Sequence, residues 1–158
     1  MRPGRRAYGM LDPTHGVFVP LRLPIPELAL VVLVGPAGSG KSTFAARHFG
    51  ETEVVSSDRC RALVSDDEAD QSATPDAFDL LHAIVEKRLR RGRLTVVDAT
   101  SVAPEARRPL LALARRAHVP AIAIVFDLPA ELCIERDAAR ERRVGAAAIE
   151  RQIEDLRR

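Results

Sequence analysis

The sequence predicts an α/β fold of three layers, a mostly parallel sheet of four to five strands with helices on both faces. Three observations carry this. Residues 28–34 form a continuous apolar run ending at Gly35, with the length and character of a strand buried on both faces. A glycine-rich segment then leads from that run into a helical pattern. Beyond it, strand-like and helix-like segments alternate, which specifies a parallel sheet joined by right-handed crossovers. The 158 residues fit one domain.

Taken in order, residues 1–26 are rich in proline (Pro3, Pro13, Pro20, Pro24, Pro26) and arginine. Residues 1–20 are expected to be an extended arm ahead of a domain at 21–158. A helix is expected over 41–49 and a short strand over 53–56, followed by a polar, acidic loop over 65–71. Thr74 has the character of an N-cap, with Pro75 at the first helical position. That helix runs to 91, with Phe78, Leu81, Val85 and Leu89 on one stripe and Gly92 as its stop. A strand over 94–97, a helix over 104–118 and a strand over 121–126 follow. Helices over 129–142 and 146–157 complete the chain. In parallel sheets of this kind ligands sit at the carboxyl ends of the strands, which directs attention to Gly35, Asp58, Asp98 and Asp127.

Composition narrows the function classes. Hydrophobic residues make up 46% and charged residues 29%, ordinary for a globular domain. No apolar run approaches the roughly 20 residues of a membrane helix. The N-terminal arginines lack a following apolar segment, so no secretory leader is expected and the cytoplasm is the default location, without a membrane partner. Cys60 and Cys133 lack metal-ligand spacing and are expected to be free thiols. A net charge of +2 gives no global attraction to nucleic acid. Lysine occurs only at Lys41 and Lys87, which makes the one inside the glycine-rich segment stand out.

Gly35, Pro36, Ala37, Gly38, Ser39, Gly40, Lys41 and Ser42 satisfy the full P-loop pattern, with a buried strand before and a helix after. The glycines let backbone N–H groups converge on phosphate oxygens, and the helix N-terminus adds partial positive charge. Lys41 can reach the β- and γ-phosphates, and Ser42 can offer its hydroxyl to Mg²⁺. With Thr43 in the same turn, these residues form the expected site for ATP or another NTP in a three-layer P-loop NTPase fold. A carboxylate at Asp58, after the second strand, can accept the proton of an attacking hydroxyl, and Arg61 falls on the same face of a helical turn. Asp58 as a turn cap with a solvated Arg61 fits the position equally. Among Arg136, Arg140, Arg142 and Arg143, the spacings put Arg136, Arg140 and Arg143 on one helical face, suited to phosphate charge. The interleaved Glu131, Glu135, Asp137 and Glu141 fit a salt-bridged exposed helix as well. Gly145 can hinge such a segment if it is a C-terminal lid. Asp98 ends an apolar strand and can hold Mg²⁺ through water, fix Thr100, or cap its loop. The acidic run 66–70 is expected to be a solvated loop.

With these residues in place, the stretch from about residue 21 resembles the 5′-kinase domain of bacterial polynucleotide kinase–phosphatase, an RNA-repair enzyme. The resembling segments are IPELALVVLVGPAGSGKSTFAARHF, EVVSSDRCRALVSDDEADQ, FDLLHAIVEKRL, LTVVDAT and FDLPAELCIERDAAR. The resemblance implies ATP-dependent phosphorylation of RNA or DNA 5′-OH ends. It implies Asp58 as general base with Arg61 essential beside it, and Lys41 and Ser42 on phosphates and metal. It also implies that Arg136, Arg140 and Arg143 form a lid closing on the nucleotide, Arg136 stabilising the transferring charge. Phosphatase and ligase modules accompany this kinase in the family, so the chain is expected to represent the kinase portion. Family domains go on into a further strand where this chain ends at Arg158, which leaves a fifth strand open. Two rival readings stand beside this one: a small-metabolite P-loop kinase for a nucleoside, sugar or antibiotic, and a nucleotide-binding switch without catalysis.

Overall fold

The computed structural model describes the backbone of residues 7–11 and 18–22 and residues 23–158 in full. Its first elements are β1 (Ala7–Leu11) and β2 (Phe18–Arg22), which pair antiparallel. These residues, expected as part of an extended arm, therefore find a sheet partner in each other. The rest of the expected arm lies outside the described residues.

The main sheet follows from the apolar runs. β3 (Leu30–Val34) is buried at every position. β4 (Val54–Ser56), β5 (Thr95–Asp98) and β6 (Ala121–Val125) join it in the order β4-β5-β3-β6. Every pairing is parallel. Because side chains alternate across a strand, Leu30, Val32 and Val34 share one face of β3. There they meet Ala77, Leu81, Val85 and Leu89 of α3 (Thr74–Arg90) and Leu110, Leu113 and Ala114 of α4 (Pro104–Arg116). Val31 and Leu33 take the other face, with Ala45 of α1 (Lys41–His48), Phe49 and Val96. Burying each such side chain stabilises the fold by about 1.5–3 kcal/mol. Four parallel strands between two helical layers match the expected three-layer α/β fold. The edge strand β6 differs from β3: Ile122 and Ile124 are half-buried, while Ala121, Ala123 and Val125 are exposed.

Two elements depart from expectation at their N-termini. Thr74 is already helical and Ala73 is the N-cap of α3, because Asp70 instead caps a preceding 3-10 turn by accepting from Ser72 N. α2 (Ser57–Ser65), not foreseen as a separate helix, begins directly after β4 with Ser56 as its side-chain cap. The acidic stretch after it folds on itself, Asp67 accepting from Ala69 N, and among the described residues no group of three or more His, Cys, Asp or Glu side chains is placed to hold a metal ion.

A larger correction concerns the C-terminal arginines. The helix expected over 129–142 is α5 (Ala130–Ala138), and it stops before Arg140. Its end is set by Asp137, which is 2% exposed and accepts hydrogen bonds from Val144 N and Gly145 N at 2.9 Å each. That capture turns the chain back into α6 (Ala146–Arg157), with Gly145 supplying the required φ of 93°. Cys133, Ile149 and Ile153 then close a small core between α5 and α6, and Ala37 of the phosphate loop packs against it. Among the described residues no helix is long and apolar enough to cross a membrane.

Replacing Asp137 with alanine leaves the 144–145 amides without their charged acceptor. The expected loss is about 1–3 kcal/mol, seen as a lower urea midpoint at unchanged slope. An unaltered midpoint would show that this carboxylate does not hold the turn.

Candidate functional site

The strand order reverses at β3, and the loop leaving β3 sits at that switch point, where α/β sheets open a crevice. Gly35 N donates to Thr100 O at 3.1 Å, tying the loop's start to the segment after β5. Gly38 (φ 76°) approaches α5 so closely that a Cβ would stand 2.1 Å from the Cys133 carbonyl oxygen. Only glycine fits there, both sterically and in backbone conformation. Ala37 N donates to Gln152 Oε1 of α6 at 2.8 Å. The Ser39 hydroxyl is buried and has no partner among the described residues.

Lys41 lies within this loop. Its Nζ donates to Gly35 O at 2.8 Å and to Pro36 O at 2.7 Å. Burial lowers its pKa to about 8, and the nearby Arg140 adds to that effect while Asp98 opposes it. Ser42 donates its hydroxyl to Asp98 at the end of β5. Burial pushes the Asp98 carboxyl up from its ordinary value, and the Ser42 bond and the Lys41 charge pull it down. A hydroxyl and a carboxylate sharing one side of the loop form the hard-oxygen donor set that suits Mg²⁺, so the residues present fit that ion.

Asp58 lies in the first turn of α2, where the helix N-terminus favours a carboxylate. Arg61 Nη1 donates to its Oδ1 at 2.7 Å, on the shared face that the spacing predicts. The same nitrogen donates to Glu68 O at 2.9 Å, and the Arg61 side chain is only 6% exposed. Asp58 itself is half-exposed. It lies close enough to Lys41 and Asp98 for its charge to act on both, so the ends of β3, β4 and β5 converge on one cleft.

The arginines divide differently from the expected single face. Arg136, still helical, brings Nη1 to 3.8 Å from where a Cβ on Gly40 would stand. Arg140, in the loop, acts electrostatically on Lys41 and Asp98. Arg143 is exposed. Arg142, which helical spacing sets aside, reaches Asp58 instead, with Nη1 3.4 Å from Oδ2. It escapes sequence reasoning because α5 ends before it. Gln152 escapes as well, since nothing in its local pattern separates it from a solvated helix face. Thr43, in α1, and Asp127, just after β6, are both exposed. Cys60 and Cys133 are buried free thiols, as expected.

A protein family described as AAA domain matches residues 30–158. The chain belongs to this family. Among curated proteins it is 30% identical over 111 residues to "Transcription factor bHLH140" of Arabidopsis thaliana, covering 70% of this chain and 11% of that protein. Two solved structures of the Pnkp1/Rnl/Hen1 complex, the first titled an RNA repair complex, are similar in fold. One has a TM-score of 0.71 at 24% identity over 82% of this chain and 44% of that one. The other has 0.60 at 25% identity, over 74% and 41%. The Mycobacterium tuberculosis APS kinase CysC, solved with AMPPNP and APS, has 0.56 at 23% identity, over 73% and 71%. The chain thus spans a small part of its curated relative and less than half of the repair-complex chains. The fold is that of a P-loop kinase, and the likeness to the Pnkp1 structures agrees with the resemblance carried by the sequence segments.

A nucleotide's phosphates favour the charged form of Lys41, so binding takes up a proton wherever the free protein has lost it. With a free pKa of about 8, uptake is close to one proton near pH ~9 and small near pH ~7. Affinity for ATP therefore weakens as pH rises above about 8, approaching tenfold per unit. Calorimetry in buffers of different ionisation enthalpy measures this uptake, and pH-independent affinity without it would contradict the placement of Lys41.

Proposed function

We propose that this protein is a polynucleotide 5′-hydroxyl kinase, which transfers the γ-phosphate of ATP or another NTP to the 5′-OH end of RNA or DNA. The observation that carries the reading is Asp58. A half-exposed carboxylate, fixed by Arg61 at 2.7 Å, lies near enough to Lys41 of the phosphate loop for its charge to act on it. A loop that only held nucleotide would need no such group.

The chemistry is a single in-line displacement. The acceptor oxygen forms a bond to the γ-phosphorus while the bond from that phosphorus to the β–γ bridging oxygen breaks. The hydroxyl proton passes to the Asp58 carboxylate, and the nucleoside diphosphate leaves. Backbone N–H groups at 38–42 and the Lys41 ammonium hold the phosphates, and Arg136 above Gly40 stabilises charge as it develops. Mg²⁺, when bound, would supply positive charge against the triphosphate, and Ser42 directly and Asp98 through water are the residues that would hold it. Arg140 and Arg143 complete the lid on the nucleotide in this reading.

The polynucleotide acceptor is supported by the five resembling segments and by similarity to structures of an RNA repair complex. A role in RNA repair beside phosphatase and ligase modules belongs to the same proposal. The similarity to an APS kinase supports the small-metabolite reading at the level of fold.

The test uses γ-labelled ATP with a 5′-OH RNA oligomer, a DNA oligomer and a panel of small hydroxyl metabolites. The unaltered chain is expected to label the oligomers. Asp58→Ala is expected to lose at least ~10²-fold in transfer while keeping ATP affinity within about threefold. Labelling of metabolites alone would favour the rival kinase. An active Asp58→Ala variant would remove Asp58 as the base.

A further inference from the structure

The ends of α3 and α4 concentrate positive charge that the cleft does not use. Residues 86–93 and 115–116 hold seven of the chain's 24 lysines and arginines and one of its 22 aspartates and glutamates, which leaves 17 cations against 21 anions elsewhere. Arg88 is engaged inside the fold, donating to Leu94 O at 2.8 Å and to Thr95 Oγ1 at 3.3 Å. Lys87, Arg90, Arg91, Arg93, Arg115 and Arg116 are exposed. Arg116 Nη2 meets Glu86 Oε1 at 2.8 Å, which sets the two helix ends side by side. Between them opens a cavity of about 230 Å³ lined by Glu86, Arg90, Leu113, Arg116 and Ala117.

We propose that this end of the domain binds the phosphate backbone of a polynucleotide, RNA or DNA. Basic side chains in a last turn complement the helix dipole, which accounts for Arg90 on α3 and for Arg115 and Arg116 on α4. It does not account for Arg91 and Arg93, which follow α3, or for two arginines at one cavity with a single carboxylate. Like charges gathered this way repel one another, and an arriving polyanion relieves that repulsion. Guanidinium forks match phosphate oxygens two at a time. No Phe, Tyr or Trp occurs in residues 86–93 or 115–118, so bases find no stacking platform and the grip is on the backbone alone. A membrane surface would call for apolar side chains among the cations, and of the exposed large hydrophobic residues described only Leu111 belongs to α3 or α4.

The topology sets where this surface stands. A helix joining two parallel strands runs back against them, so α3 and α4 end where β5 and β6 begin. The cleft lies at the other ends of the same strands. α3 crosses the sheet with 17 residues, or ~25 Å. A stacked strand advances about 3.4 Å per nucleotide, so one lying in the cleft needs about seven nucleotides or more to touch the arginines. Backbone binding stands by itself, whereas a resulting preference for longer acceptors rests on the kinase reading above.

The test measures fluorescence anisotropy of a twenty-nucleotide and a four-nucleotide single-stranded RNA with the full chain over a range of salt. The unaltered chain is expected to bind the longer strand at least tenfold more tightly. A variant carrying Arg90→Gln, Arg91→Gln and Arg93→Gln is expected to lose at least tenfold on the longer strand and less than twofold on the shorter one. Each phosphate contact on a single strand contributes about 0.7 to the slope of log affinity against log salt, so the variant's slope is expected to be shallower by about 2. ATP affinity and the urea midpoint are expected to stay as they were, and Arg115→Gln alone to weaken the longer strand in the same direction. In the transfer assay the variant is expected to raise KM for the longer strand and leave kcat within twofold. An unchanged affinity and slope in the variants, or an equal loss on both lengths, overturns the assignment and leaves the kinase reading intact. Patch-dependent binding to phosphatidylserine vesicles without binding to RNA overturns it in favour of a membrane surface. Patch-dependent RNA binding with no labelling of any strand end upholds the surface and removes the kinase reading.

Discussion

The arrangement of the cleft depends on one steric condition, the absence of a side chain at Gly38. The backbone of α5 passes so near that the Cys133 carbonyl fills the space a Cβ would need. A helix backbone cannot yield as the end of a flexible side chain can, so any other residue would push α5 away. What α5 carries would go with it. Arg136 over Gly40, the Asp137 grip on the 144–145 amides and the loop bearing Arg140 and Arg142 are all placed from that contact. The bond from Ala37 N to Gln152 adds a second tie, from α6. The phosphate loop is thus a structural seat for the C-terminal helices as well as a cradle for anions.

Around that seat the charges alternate in sign. Lys41 feels the charges of both Asp98 and Arg140, and Asp58 contacts both Arg61 and Arg142. Burial raises the cost of holding Lys41 charged while the cleft is empty of phosphate, and two carbonyl oxygens offset part of that cost. A buried cation with only neutral acceptors gains most when a phosphate comes within reach.

Much of this was legible in the chain because it depends on short-range rules. The all-apolar run 28–34 specifies a central parallel strand, and the eight-residue glycine motif specifies the turn after it. The three-residue spacing of Asp58 and Arg61 places both on one face whatever the surrounding packing, and the 2.7 Å bond follows. The C-terminal arginines were legible only in part, since their placement depends on where α5 ends. That is decided by a buried carboxylate capturing amides seven and eight residues ahead, a tertiary event with no period in the sequence. Arg142 and Gln152 illustrate the same limit, for each acts on a residue far away in the chain. β1 and β2 were hidden for another reason, because AYGML and FVPLR carry no alternating polar and apolar pattern to announce pairing.

The setting of Lys41 also has a consequence for chemical labelling. It is one of two lysines in the chain. A pKa of about 8 leaves roughly a tenth of it as the free amine at neutral pH, the form that attacks aldehydes and activated esters. The two carbonyls that hold its nitrogen also fix the direction from which such a reagent must come. A nucleotide bearing an electrophile on its terminal phosphate would meet that amine at the end of its own binding path, and the cleft would tag itself.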